Sequence, residues 1–315
     1  METKNCDYQT IQKVSVIVLS YNNFSLLERC IKSIAQQSYS NCEIIFSDDG
    51  SKNLNIAQVQ DNINSIVKDR MEVKYNFNSE NKGTVKSFNI AIDLSSGELI
   101  VPLAIDDYFA DENSIEHIVN YFNANRVLLG TSYVCEKKDN KISIRPNKNE
   151  LHTLRDSKSA INAMIRHGLF FRGACTYYHR DVFKLYGKFD ETYRLYEDIP
   201  FLYKYLKENN TVAIVPYICT IYSKEGISSK KIPPLALRDD RIRFYKRIAD
   251  ENVRNKRWID YAIYRNVNPN GKIKKILYYS DIIIAKMIYS LFFKRKELVV
   301  TSENDMKKRI SEING

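Results

Sequence analysis

Four apolar runs in the first 110 residues end in polar or acidic tips, with amphipathic stretches between them. Residues 14–20, VSVIVLS, run into Ser20, Tyr21, Asn22 and Asn23, after which Phe24, Leu27, Cys30, Ile31 and Ile34 recur at helical spacing. This pattern predicts a buried strand followed by a helix. A second strand, CEIIFSD over 42–48, closes on Asp48, Asp49, Gly50 and Ser51. A weaker helix over 54–68, a strand over 71–77, a loop carrying Asn81, Lys82 and Gly83, and a helix over 83–94 follow. ELIVPLAI over 98–105 is the fourth strand, and it leads directly into Asp106 and Asp107. Its apolar residues are continuous, as in strands covered by helices on both faces. The alternation argues an α/β, doubly wound, mostly parallel sheet.

Beyond Phe122 the pattern becomes mixed, with short strands predicted at 127–135 and 141–145 and turn-rich segments between them. At YEDIPFLYKYL the acids Glu197 and Asp198 open a helix whose apolar face is Phe201, Leu202, Tyr205 and Leu206.

Two adjacent carboxylates at a strand tip repel each other unless a cation sits between them, and a divalent metal held by oxygen ligands meets that need. The alternative for Asp107 is a cap on a helix starting near Glu112, and for Glu197 and Asp198 a simple first-turn placement at a positive helix end. A second acidic strand end, Asp48–Asp49, repeats the design and favours a site. No GxGxxG follows the first strand, which disfavours NAD or FAD. His179 and Arg180 are either phosphate contacts or part of a helix start with Asp181 near its cap. His117 is expected to face solvent, and His152 and His167 have no partner at ligand spacing.

The chain has 315 residues, 44% of them hydrophobic, long enough for one large α/β domain with an appendage. Its net charge of +10 is uneven: between Leu235 and Val300 there are sixteen Lys or Arg and seven Asp or Glu, while the first 234 residues are nearly neutral. Six scattered cysteines without CxxC spacing read as buried thiols of a reducing compartment. METKNCDYQT lacks a cationic region followed by an apolar core, so a cytoplasmic location is expected. Residues 272–296, KIKKILYYSDIIIAKMIYSLFFKRK, place cations at both ends of an apolar, aromatic-rich stretch interrupted by Asp281 and Lys286. The pattern fits a helix lying on the inner face of the cytoplasmic membrane or one packed on the domain or a partner subunit. No nucleic-acid-binding motif accompanies the basic tail.

VSVIVLSYNN, CEIIFSDDGS, NKGTVKSFN, LAIDD, RGACTYYHRDVFKLYGKFDE and YED, in this order over about residues 12–228, resemble the inverting family 2 nucleotide-sugar glycosyltransferases of the GT-A fold. The resemblance implies a catalytic domain over 1–234, nucleotide-binding over about 12–110 and acceptor-binding over about 111–234, and a basic helical region over 235–315. Ser20, Tyr21, Asn22, Asp48 and Asp49 would then hold the nucleoside of a UDP-sugar, Asp49 at the uracil imide, while Lys82, Gly83 and Lys86 cover the donor; Asn89 is expected to pack structurally. Asp106 and Asp107 match the last two positions of the family's DxD-type motif, which holds Mg²⁺ or Mn²⁺ on the diphosphate. Ala104 stands where many members carry an acid, so metal binding would lean on Asp106, and loss of metal dependence is the competing reading. Asp198 is expected to be the catalytic base, with Glu197 orienting the site or taking that role. Relatives often carry a histidine after the base helix, where this chain has YSKEGISSK and Lys224 is a candidate diphosphate contact. The implied activity is hexosyl or N-acetylhexosaminyl transfer to a glycan or lipid-linked glycan acceptor in capsule or lipopolysaccharide synthesis. A binding domain without catalysis is the alternative.

Overall fold

The computed structural model describes residues 8–168, 173–223, 232–292, 297–300 and 302–314. In chain order the elements are β1 (Val14–Ser20), α1 (Leu27–Ala35), β2 (Cys42–Asp48), α2 (Ile56–Val67), β3 (Glu72–Phe77), α3 (Thr84–Leu94), β4 (Leu99–Ala104), β5 (Tyr108–Phe109) and α4 (Ser114–Asn125). The second half continues with β6 (Leu129–Lys138), β7 (Lys141–Arg145), α5 (Lys148–Thr153), α6 (Ser157–Arg166), β8 (Thr176–His179), α7 (Arg180–Tyr186), α8 (Asp198–Lys207) and β9 (Ala213–Ser223). It ends with α9 (Leu235–Ile248), α10 (Lys256–Val267), α11 (Lys272–Phe292), β10 (Glu297–Val299) and α12 (Glu303–Asn314).

One sheet runs β10-β7-β6-β8-β4-β1-β2-β3, with β9 paired to both β5 and β6. The stretch β4-β1-β2-β3 is parallel, as the βαβ alternation predicts. β8 joins β4 antiparallel, and β6 and β7 extend that side antiparallel. Continuous apolar strands follow from burial on both faces: Val14, Val16 and Val18 pack under α1, α2 and α4, while Ile17 faces α3 and the aromatic cluster of Phe88, Tyr178 and Phe201. The register sets Ser20 beside Asp48 and Leu19 beside Ala104, so the polar tips of β1, β2 and β4 meet along one edge. Ligands of open α/β sheets bind at such an edge.

Residue 234 is not a packing boundary. Phe244, Ile248 and Ile259 of α9 and α10 are buried in the same cluster as Phe88, Phe201 and Leu202. β10 pairs with β7, and Met306 and Ile310 of α12 pack beside Ile218 and Ile221. Five cysteines are buried free thiols, and Cys6 lies outside the described residues. Among the described residues no helix is long and apolar enough to cross a membrane.

Candidate active site

The first part of the site is a hydrogen-bonded knot at the tips of β1 and β2. Asp48 is buried, and its carboxylate accepts from Ser51 N (2.8 Å) and Ser51 Oγ (2.6 Å). Ser51 Oγ in turn accepts from Asn22 N, while Asn22 Oδ1 accepts from Lys52 N. Asn22 has a left-handed φ of 52°, a conformation asparagine tolerates better than most residues. Asp49 Oδ1 accepts from Lys82 N, Ser87 Oγ and Asn78 Nδ2, and Oδ2 accepts from Gly83 N at 2.9 Å. Lys82 and Gly83 therefore act here through their backbone amides. Gly83 needs to be glycine: its φ is +93°, and a Cβ would lie 2.5 Å from Arg194 O. Lys86 is exposed on the first turn of α3, and Tyr21 is exposed beside the knot. Ser20 Oγ is buried without a hydrogen-bond partner at the same edge.

The second part is the tip of β4. Asp107 is buried; Oδ1 accepts from Ser223 N at 2.8 Å, and Oδ2 is buried with no hydrogen-bond partner among the described residues. Burial and the neighbouring charge of Asp106 push the Asp107 carboxyl well above the usual range, against the pull of the Ser223 amide and Arg29. The helix-cap reading of Asp107 fails, because α4 begins at Ser114 and Asp111 bonds to its start through Asn113 N and Ser114 Oγ. Asp107 reaches instead to the end of β9.

The third part is the pair Glu197–Asp198 at the start of α8. Glu197, at the cap position of α8, makes no side-chain cap bond among the described residues, and Asp198 Oδ1 accepts from the adjacent Ile199 N at 2.7 Å. Desolvation, with the Asp198 charge second, raises the Glu197 carboxyl to about 8. A Cβ on Gly173 would sit 3.2 Å from Glu197 Oε1 and 3.9 Å from Asp198 Oδ2. His179 of β8 pairs opposite Leu99 and Tyr178 opposite Ile100, so the Gly173–Cys175 turn before β8 falls at the Asp106 end of β4. The two acidic pairs thus come to one edge of the sheet.

Three residues that sequence reasoning missed hold these parts in place. Arg29 of α1 donates to Asp106 O and Ser223 Oγ and lies 4.3 Å over the Tyr108 ring. Arg194 donates to Asn81 O and Oδ1, and its own carbonyl accepts from Val85 N, tying the loop around Asp49 to the loop before Glu197. Buried Asp240 of α9 accepts from Arg194 N and Leu195 N. No local pattern marks Asp240, which lies 46 residues from its partner in a basic helix.

Other candidates serve the scaffold. His179 caps α7 through Asp181 N and bonds Gln9 O, while Arg180 donates to Gly97 O and Ser95 Oγ at the opposite end of β4. The phosphate reading of both falls and the helix-start reading holds, with His179 as the cap and Asp181 in the first turn beside it. His117, expected in solvent, stacks on Tyr217 at 3.9 Å. Asn89 clamps Phe189 through its amide, as expected of a packing residue. Lys224 and Arg172 lie outside the described residues.

A mixed sheet flanked by helices, with acidic residues gathered at the carboxyl edge of its parallel strands, is the GT-A fold of nucleotide-sugar transferases. The family model of glycosyl transferase family 2 matches residues 15–187, and the chain belongs to that family. An uncharacterized glycosyltransferase of Haemophilus influenzae is 31% identical over 133 residues, 42% of this chain and 51% of that protein. The GalNAc(5)-diNAcBac-PP-undecaprenol beta-1,3-glucosyltransferase of Campylobacter jejuni is 40% identical over 96 residues, 30% of each chain. The chain spans about half or less of these relatives. S. aureus TarS 1–349 in complex with UDP-GlcNAc superposes with a TM-score of 0.58 at 16% identity, covering 83% of this chain and 73% of that one. That likeness is one of fold.

Proposed function

We propose that this chain is an inverting glycosyltransferase that moves a sugar from a nucleotide-sugar donor, a UDP-sugar, to a hydroxyl of a glycan or lipid-linked glycan in bacterial surface polysaccharide synthesis. The observation that carries the reading is the meeting of two acidic pairs at one sheet edge, one containing a buried aspartate oxygen with no hydrogen-bond partner among the described residues. Support for the donor and acceptor classes comes from the UDP-GlcNAc held by TarS and the undecaprenol-linked glycan in the Campylobacter enzyme's name. Peripheral membrane contact through residues 272–296 belongs to the same reading.

Among the described residues no cluster of three or more His, Cys, Asp or Glu would enclose a metal alone. Asp107 nevertheless fits a divalent ion, since its buried, unsatisfied oxygen beside a second carboxylate needs either a proton or a cation. Asp106 and Asp107 would hold Mg²⁺ or Mn²⁺, with the donor's diphosphate and water as the remaining ligands. The ion supplies positive charge against the departing diphosphate.

The protein's own steps follow from the second pair. A carboxyl raised to about 8 by burial and the neighbouring Asp198 keeps Glu197 protonated at neutral pH, which leaves Asp198 as the member of the pair read as the base. Asp198 takes the proton of the acceptor hydroxyl as its oxygen bonds to the anomeric carbon, on the face opposite the breaking bond to diphosphate. The Asp49 knot shapes the nucleoside end of the pocket.

The test is nucleotide release across a panel of donors, with and without EDTA, for wild type, Asp107→Asn and Asp198→Asn. Acceptor-dependent release from one donor class, lost on chelation and in both variants, is the expected result. Release indifferent to all three changes, or nucleotide binding with no transfer to any acceptor, would overturn the assignment.

A further inference from the structure

α11 is built inside out for a helix at a protein–water boundary. Its inner face is fixed by buried Ile282 and by Tyr289, which stacks on His167 at 3.6 Å, while at the surface Arg257 of α10 binds the exposed Asp281 at 2.7 Å and Tyr278 O at 2.8 Å. The lysine in the middle of the helix, Lys286, turns inward, where Nζ lies 5.8 Å over Trp258 and 5.6 Å over Tyr261. Desolvation brings its ammonium down to about 8.

The outer face carries the aliphatic residues. Ile284, Met287, Ile288 and Leu291 repeat at i, i+3, i+4 and i+7 and are 56%, 64%, 51% and 74% exposed; beyond the kink at Tyr279, Ile273 and Leu277 are 77% and 72% exposed. A soluble helix puts its charges outward and its aliphatics inward. Here the outward stripe runs along most of a 21-residue helix, and a contiguous exposed patch of this kind marks an interaction surface.

We propose that the outer face of α11 docks on the surface of an anionic lipid bilayer, with its aliphatic stripe at the level of the acyl chains. Charge complementarity selects this occupant. Lys274 is exposed at the start of the stripe, and the sequence continues past its end with Lys294, Arg295 and Lys296, which lie outside the described residues. A shallow cleft of about 240 Å³ against Tyr289 of the same helix is lined by Arg155, which pairs with Asp156, and by Arg166. Apolar residues between cations suit an interface of acyl chains and anionic headgroups. An apolar homodimer seam would instead place like charges against like. The inference deepens the proposed function, because a docked enzyme meets a lipid-linked acceptor in two dimensions, yet vesicle binding itself needs neither donor nor catalysis.

The test is co-sedimentation of the full chain with phosphatidylcholine vesicles with and without phosphatidylglycerol. Wild type is expected to bind the anionic vesicles, several-fold less in high salt. The Ile284→Asp/Leu291→Asp variant should bind at least about tenfold less while keeping its circular dichroism spectrum, with Leu277→Ser as a milder variant if the double one fails to fold. Absence of binding to anionic vesicles, binding unchanged in folded variants, or a solution dimer that the substitutions dissociate without any vesicle binding would each overturn the proposal. Transfer to a water-soluble acceptor should be unchanged in the variants, which separates failure of docking from failure of the catalytic reading.

Discussion

The chain follows the two parallel strands that flank β1 with the same dipeptide, Asp48–Asp49 at the end of β2 and Asp106–Asp107 just past β4, and the fold uses them in opposite ways. At β2 the carboxylates accept six hydrogen bonds from Ser51, Asn78, Lys82, Gly83 and Ser87, so their charge is spent on holding loops together. Past β4 one oxygen of Asp107 is buried with no hydrogen-bond donor to it among the described residues. A satisfied buried acid organises its surroundings, whereas an unsatisfied one beside a like charge is held there at a cost that only a ligand or proton relieves. The first pair holds loops together, whereas in the second Asp107 keeps one buried oxygen without a hydrogen-bond partner among the described residues.

That contrast gives four predictions, from the largest effect to the smallest. Asp107→Asn should lower transfer about a thousandfold, the scale of losing a charge-stabilising group, while leaving the thermal midpoint unchanged or higher because it relieves a buried charge; steady-state nucleotide release with thermal unfolding checks both. A large loss of stability in this variant would show that Asp107 is scaffold like its counterpart.

Asp49→Ala should act in reverse. Removing an acid that organises four donors is expected to destabilise the protein by about 3 kcal/mol, read by urea denaturation, with donor affinity falling as the 78–87 segment loosens. A milder version is Ser51→Ala, which deletes the hydroxyl shared by Asp48 and Asn22 and should cost about 1 kcal/mol; equal stability to wild type would show that the knot does not depend on it.

The smallest effect is in pH. Because the folded Glu197 carboxyl titrates near 8 and its ordinary value is 4.5, the native state binds more protons than the unfolded chain between those limits. Stability from this group is therefore full below about 4.5 and is lost as pH rises towards about 8. The thermal midpoint should fall by a few degrees across that window, and Glu197→Gln should flatten the fall. An unaltered slope in Glu197→Gln would place the titrating group elsewhere.

Much of this was legible in the sequence. The buried strands β1, β2 and β4 declare themselves by continuous apolar runs, and α1 by Leu27, Cys30, Ile31 and Ile34, all buried as their spacing requires. The acidic tips were legible as candidates because a carboxylate directly after a buried strand stands at a sheet edge. What each carboxylate does was not legible, since identical dipeptides differ only in partners far along the chain: Ser223 is 116 residues from Asp107, and Gly83 is 34 from Asp49. The same holds for Asp240, which reads as a surface residue of a basic helix and is buried under Arg194 and Leu195. His117 looked solvent-facing for a related reason, as Tyr217 arrives from a different element.

By itself the sequence determined the strands and helices from β1 to β4, their alternation and parallel run, and the residues that could carry charge at its edge, because strand burial and helical periodicity are local consequences of side-chain chemistry. Tertiary structure alone decided which acids are satisfied, that α9 and α10 share the catalytic core, and that α11 turns its lysine inward and its aliphatics outward. Each of those outcomes depends on which distant groups arrive within hydrogen-bond or van der Waals reach, and no spacing along the chain encodes that.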